Sequence, residues 1–449
     1  MVITEPQATA TLLTTFAVLL AVSALFGRGF ERLGVPVVLA FLAIGVLAGY
    51  HSLGDLHFSD YHFAFRVGVI ALVLILFDGG LNTPYRSLRG VFFPAVTLAT
   101  VGVIITAVGV SLIARLVGLS WNQALLLGAV VSSTDAAAVF SVLRGSRVQL
   151  KHRVATALEV ESGINDPVAI LLTIAITDLI VSGHEARPLM LAGMMVFELI
   201  AGVVAGIAVA RTGRLLLSKY RPPTGGLVAV VTLSLALLAF GLGSLVHGSG
   251  FVAVYAAAVT LGNGPIPMRA SVVRFHDALG WLSQITMFLL LGLLANPQRV
   301  AMQIPTGVLI ALALALLVRP ITALVCLLPF RFGLRESLYV GWVGLRGAVP
   351  IVLAIYPLLA GVDGARFVFD LVFVIVIFNA LIPGSTVRLA TRLFKLESSA
   401  SPPPRAVLQI EAAQPLDAEL LSFYISPSLA VAGAALADLP FPEGAAISM

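Results

Sequence analysis

The chain has 449 residues, of which 59% are hydrophobic and only 11% are charged, and its mean hydropathy is +1.04. Soluble domains carry about 25% charged residues, so this composition excludes a secreted enzyme, a nucleic-acid binder and a disordered chain. It indicates an integral membrane protein, and the formal charge of +5 fits that class because excess Lys and Arg collects in cytoplasmic loops.

Thirteen apolar segments have the length and composition of membrane-spanning helices, although the second and the ninth are short. None alternates apolar and polar residues as the strands of a membrane barrel do. In chain order they cover residues 10–27, 35–50, 66–81, 91–118, 121–143, 155–181, 189–211, 226–246, 250–263, 279–296, 304–329, 338–360 and 367–387. We therefore predict an all-α membrane protein with about 13 transmembrane helices.

The loops between these segments predict the orientation. Nineteen of the 27 Lys and Arg residues fall in alternate loops on one side, and five fall on the other. Positive charge marks the cytoplasmic side, so the N-terminus is expected outside and the C-terminus in the cytoplasm. This pattern predicts a multi-pass protein of the cytoplasmic (inner) membrane.

Thirteen spans divide into six, one and six. If the seventh is a connector, the two six-helix units have opposite orientations, as in the inverted repeats of secondary transporters. No internal sequence repeat is evident. We predict a transmembrane domain over residues 1–396, a linker rich in Ser and Pro over 397–406, and a short cytoplasmic tail over 407–449.

The densest polar stretch within a span is ESGINDP at 161–167. Ionisable groups cost several kcal/mol at the bilayer centre, so a functional role is the first interpretation. Ser162 and Asp166 are four residues apart and lie on one helix face, and Asn165 lies on the face of Glu161. These oxygens suit a monovalent cation or a proton; the alternative is a polar stripe that joins helices.

The fifth span carries SSTDAAA at 132–138, with three hydroxyl residues and Asp135 in mid-membrane. Such side chains compete with the helix for backbone hydrogen bonds. We predict a locally unwound helix whose carbonyls line a polar cavity, since irregular backbone is tolerated at membrane depth only there. A Ser/Thr packing face is the alternative.

The twelfth span is interrupted in the same way by GLRGAVP at 344–350. Because the fifth and twelfth spans hold corresponding places in the two six-helix units, they indicate a transporter site. Arg346 and Arg319, both within spans, require a carboxylate partner. Glu161 is the first choice for a structural ion pair, and the sequence leaves open which arginine it takes. Asp78 is equally compatible with the cation path and with capping the third helix.

These motifs together resemble the monovalent cation/proton antiporter family 1, the NhaP and sodium/proton-exchanger type, over residues 10–395. The residues that carry the resemblance are Thr134-Asp135, the stretch at 161–167, Arg319-Pro320 and the stretch at 344–347. The resemblance implies a homodimer, an elevator-type movement and a crossing of the unwound fifth and twelfth helices.

The same resemblance implies site roles. Asp166 would carry the cation and the proton in turn, with Ser162 and Thr134 as further cation ligands and Asp135 beside them. Asn165 stands where electrogenic relatives carry a second Asp, which suggests electroneutral one-for-one exchange.

The tail from Ser422 to Glu443 looks like the opening of the regulatory TrkA-C-like domain of potassium transport proteins, and family members with such a tail are potassium/proton antiporters. Potassium is therefore favoured, and a sodium or lithium antiporter is the alternative.

Three other classes are less favoured. A channel would need a continuous pore, and no stretch looks like a selectivity-filter loop. His247 and Ser249 are too close in sequence to face each other as a hydrolase pair, and an organic-anion carrier would need a positive site. The expected partners are membrane lipid, a second copy of the chain, monovalent cations and protons. We expect no nucleic acid and no cofactor. The single cysteine, Cys326, excludes a cysteine metal cluster.

Overall fold

The computed structural model describes residues 5–32, 36–49, 58–145, 148–183, 188–220, 222 and 224–398. Its helices, in chain order, are α1 (Glu5–Arg32), α2 (Val38–Ala48), α3 (Tyr61–Leu81), α4 (Tyr85–Leu116), α5 (Trp121–Val130), α6 (Ala136–Gly145), α7 (His152–Ser182), α8 (Pro188–Tyr220), α9 (Gly225–Leu245), α10 (Gly250–Gly262), α11 (Arg269–Leu294), α12 (Pro297–Met302), α13 (Ile304–Ala313), α14 (Arg319–Leu327), α15 (Leu334–Trp342), α16 (Val349–Leu359) and α17 (Ala365–Leu393). The predicted tail at 407–449, and the predicted linker beyond Ser398, lie outside the described residues.

The all-α membrane fold is confirmed. Eight helices of the described part are long and apolar enough to cross a membrane, and four shorter apolar helices accompany them. The count of 13 spans and the inverted repeat stay predictions. Some helices extend beyond the apolar segments predicted for them, so that Arg66, expected in a loop, lies within α3, whereas α2 is shorter than its segment. Hydropathy locates the part of a helix that lipid surrounds, whereas the helix itself continues into the polar boundary.

The predicted interruptions are also confirmed. Residues 131–135 separate α5 from α6, and residues 343–348 separate α15 from α16. A third span, from α13 to α14, changes to wider π turns at Leu314–Val318, just before Arg319. Each irregular stretch thus lies next to a residue that the sequence marks as a site candidate.

The helices pack in two groups. The first bundle consists of α1–α3 and α8–α11, and the second bundle of α4–α7 and α12–α17. Packing is dense within each bundle, and contacts between them are concentrated where α3 meets α16 and where α7 approaches α10. The interrupted spans and α7 all belong to the second bundle, so the polar stretches lie together.

Candidate functional site

The two interrupted spans cross in the second bundle and satisfy each other's free backbone groups. The Asp135 amide donates to the Leu345 carbonyl at 2.8 Å. In the opposite direction, Arg346 Nη1 donates to the carbonyls of Ser133 at 2.6 Å and Ser132 at 3.4 Å. Broken helices survive inside a membrane only when such partners replace the lost helical bonds. The crossing is therefore the structural basis of the site.

Asp135 caps the start of α6. Its Oδ1 accepts from the amides of Ala137 at 2.9 Å and Ala138 at 3.3 Å, which are free because they open the helix. The side chain lies against the bare backbone of Gly347, where a Cβ would lie 2.9 Å from Asp135 Cγ. Gly347 in the twelfth span is thus needed because any side chain there would collide with Asp135.

Gly347→Ala is expected to destabilise the protein by about 1–3 kcal/mol, because the new methyl group must displace the half-buried Asp135 carboxylate from its helix cap. The midpoint of thermal unfolding in detergent measures the loss. Gly241→Ala is the matched control, since a Cβ there meets nothing within 4 Å. Equal midpoints for the two variants would contradict the close packing.

Glu161 is buried and forms an ion pair with Arg319. The same carboxylate oxygen accepts from the Thr134 hydroxyl at 3.2 Å, and Thr134 in turn accepts from Asn165 Nδ2. The Arg319 side chain lies on Gly344, whose missing side chain leaves room for the guanidinium. One polar network therefore joins α7, α14 and the fifth span, and the twelfth span packs against it at Gly344.

The sequence predicts a carboxylate partner for Arg346, whereas the structure gives it backbone carbonyls. It is buried, and its described hydrogen bonds go to the carbonyls of the unwound fifth span, with no carboxylate of the described residues within ion-pair distance. The exposed carbonyls after α5 carry the negative end of that helix, so they stabilise the guanidinium in place of an acid. Of the proposed ion pair of Glu161, Arg346 and Arg319, only Arg319 contacts Glu161 directly.

Asp166 lies one helical turn beyond Ser162, on the side of α7 that faces a cavity of about 470 Å³. Ser133 lines the cavity beside the Asp166 carboxylate. Ser162 donates to the Thr134 carbonyl and accepts from the Ala136 amide, both at 3.2 Å. The hydroxyls of Ser162 and Thr134 are thus held in place by the crossing, and both residues line the cavity beside Asp166.

The cavity is acidic. Five of the described residues that line it are carboxylates, and none is basic. They are Asp78, Asp135, Glu159, Asp166 and Asp277. The cavity runs from the middle of α7 to the end of α3, where Asn82 and Thr83 also line it. Its field attracts cations, and its wall of carboxylate, hydroxyl and carbonyl oxygens suits a hard cation.

The predicted candidates therefore divide into two sets. Asp166, Asp135, Ser162 and Thr134 line the inner end of the cavity. Asp78 lines it at the last turn of α3, where it accepts from Asn82 Nδ2 at 3.2 Å.

Sequence reasoning missed Glu159 and Asp277. Glu159 could have been found from helix periodicity, since it precedes Asp166 by two turns on the same face of α7. Asp277 gave no signal of this kind, because its place at the cavity depends on how α11 packs.

Comparisons with known proteins show the family and the fold of the chain. The family described as "Sodium/hydrogen exchanger, transmembrane" matches residues 18–393. The K(+)/H(+) antiporter NhaP of Alkalimonas amylolytica is 40% identical over 385 residues, which are 85% of this chain and 66% of that protein. The K(+)/H(+) antiporter NhaP2 of Shewanella oneidensis is 38% identical over 438 residues, which are 96% of this chain and 75% of that protein. This chain thus spans only part of the length of these relatives.

A solved structure shares the fold. The sodium proton antiporter MjNhaP1 from Methanocaldococcus jannaschii, at pH 8, superimposes with a TM-score of 0.73 at 24% identity, covering 86% of this chain and 98% of that one. The likeness at this identity concerns the fold. With the family match over most of its length, this multi-pass membrane protein belongs to the transmembrane sodium/hydrogen exchanger family.

Proposed function

We propose that the protein exchanges a monovalent cation for protons across the cytoplasmic membrane, with both competing for Asp166. The observation that carries the proposal is the position of Asp166 at the inner end of an acidic cavity, next to two crossing broken helices. A carboxylate there binds a cation or a proton, and a bare charge is costly at membrane depth. The site therefore crosses the barrier only when one of the two occupies it.

The charges around Asp166 support one-for-one exchange. Glu161 and Arg319 neutralise each other, and Asp135 and Arg346 carry opposite charges on the two crossing segments. Among these groups at the crossing, the negative charge of Asp166 remains, so one cation or one proton neutralises this carboxylate. Asn165 adds hydrogen bonds without adding charge. This count supports electroneutral exchange.

Potassium is the favoured cation. The two relatives above are named K(+)/H(+) antiporters, and the tail resembles a regulatory module of potassium transport proteins. Sodium and lithium use the same oxygen ligands, so a Na⁺(Li⁺)/H⁺ antiporter is the second candidate. A cation channel is less favoured, because the cavity ends in the bundle at buried residues of α7 and α16.

Alternating access by an elevator-type movement fits the two-bundle arrangement. The site belongs to the second bundle, whereas much of the cavity wall belongs to the first through α3, α10 and α11. A shift of one bundle past the other would carry Asp166 from one face of the membrane to the other. We further propose a homodimer, which the family resemblance implies, and an outside N-terminus with a cytoplasmic C-terminus, which the distribution of Lys and Arg predicts.

The test is proton movement in proteoliposomes that contain the full chain and a pH-sensitive fluorophore. Potassium, sodium and lithium salts are added separately at several pH values. We expect cation-dependent dequenching with potassium, and no change in its rate when a membrane potential is imposed. Dequenching with sodium and lithium alone would favour the second candidate, and its absence with all three in folded protein would overturn the exchange mechanism.

A further inference from the structure

The backbone of a glycine next to the site contacts the ring of an aromatic residue from the other bundle. Gly163 lies on α7 between Ser162 and Asp166. A Cβ at this position would lie 2.6, 2.7 and 2.8 Å from Cε2, Cζ and Oη of Tyr255 on α10. These distances are far shorter than ordinary van der Waals contacts, so the ring occupies the space that a side chain at 163 would need.

The helix that carries Tyr255 is fixed within the first bundle. A Cβ at Gly80 of α3 would lie 2.6 Å from the Ala258 Cβ, and one at Gly202 of α8 would lie 2.6 Å from the Ser249 carbonyl oxygen. The helices therefore pack backbone to backbone on two sides of α10. Since α10 has no room to withdraw, a collision at 163 has to be relieved by the ring or by α7.

The contact between Gly163 and Tyr255 joins the two bundles beside the transport carboxylate. Both residues line the cavity that contains Asp166. When one bundle moves past the other, this contact must break, because its partners lie on different bundles. It therefore belongs to the conformation in which the cavity is open.

We propose that Tyr255 and Gly163 form a steric stop that sets where the Asp166 site rests when the cavity is open. Tyr255 is then a positioning residue and not a cation ligand. The proposal rests on the exchange function, since it assigns one contact to one end of the transport cycle. A side chain at 163 would destabilise the open conformation and shift the population away from it.

Gly163→Ala is the first test, in membrane vesicles of both orientations. At the face where the cavity opens, we expect the apparent KM for potassium to rise at least about fivefold, because the apparent affinity scales with the population of the open state. At the opposite face it should not rise. Helix propensity cannot cause the loss, because Ala is the better helix former. Gly79→Ala is the matched control: Gly79 lines the same cavity, and a Cβ there meets nothing within 4 Å.

Truncation of the aromatic residue is the second test. In the Gly163→Ala chain, Tyr255→Ala removes all three atoms that collide, and we expect it to return the apparent KM to within about twofold of the original value. Tyr255→Phe keeps two of them and should not rescue. If Tyr255→Ala leaves the defect unchanged, or if the defect is equal at both faces, the steric stop is wrong.

A labelling experiment separates this proposal from the exchange function. Ala137 is exposed in the cavity, so Ala137→Cys in a Cys326→Ala chain gives a single thiol for a membrane-impermeant maleimide. Labelling from the cavity face should slow in Gly163→Ala and recover in the double variant. Unchanged labelling would contradict the stop even where exchange is intact. Absence of exchange in the original chain would overturn the function, while labelling still decides the stop.

Discussion

Asp166→Asn is expected to reduce cation-dependent proton movement to the background of empty vesicles. The asparagine amide fills the same volume next to Ser133, but it neither binds a proton near neutral pH nor neutralises a cation. The empty site would then already be neutral, so neither ion would be needed to neutralise it, and nothing would couple the two ions. Dequenching in proteoliposomes measures the loss, and an unchanged elution volume in detergent shows that the fold is intact.

Asp277→Asn is the matched control for this experiment. Asp277 is an exposed carboxylate of the same cavity, on α11 of the first bundle, away from the crossing. Its neutralisation removes the same charge from the same space, and we expect exchange to continue. Transport that persists in Asp166→Asn would mean that another carboxylate carries the ions, and the competition scheme would fall.

Glu161→Gln is expected to lower stability strongly, by about 3–5 kcal/mol, because it leaves the buried charge of Arg319 without its partner. The glutamine oxygen still accepts a hydrogen bond from the arginine, so the loss reports the missing charge. The Thr134 hydroxyl can donate to the same glutamine oxygen, so its hydrogen bond is also kept. The midpoint of thermal unfolding in detergent is the measurement.

Glu397→Gln serves as its control. Glu397 pairs with Arg392 at 3.8 Å, and both side chains are about half exposed, so the pair is worth at most about 1 kcal/mol. The two variants make the same chemical change in a buried and in an exposed ion pair. A Glu161→Gln protein that unfolds normally yet fails to transport would move Glu161 from the structural network into the transport site.

The sequence predicted the parts of this fold that depend on local chemistry. Hydroxyl residues and an acid at 132–138, and glycines with a proline at 344–350, predicted two broken helices, and the structure breaks both. Helix periodicity placed Ser162 and Asp166 on one face, and both line the cavity. In these cases the residues that interrupt or pattern a helix are also the residues to which the proposed function assigns a role.

The parts that the sequence left open depend on how helices pack. Glu161 had two candidate arginines, and only the tertiary fold shows that Arg319 reaches it while Arg346 turns to carbonyls. The contact between Gly163 and Tyr255 could not be predicted from the sequence, because a glycine in a helix does not reveal which side chain will pack against it. The predicted ends of some helices differ from those in the structure, because the length of an apolar segment is not the length of its helix.

The pH dependence of the apparent KM tests the central claim most directly. If a cation and a proton compete for Asp166, the apparent KM for potassium rises in proportion to the proton concentration as the pH falls, while the maximal rate at saturating potassium stays constant. The measurement is the initial rate of dequenching over a series of potassium concentrations at each pH. An apparent KM that does not change with pH, with a maximal rate that does, would mean that protons act at a separate group and would contradict competition at Asp166.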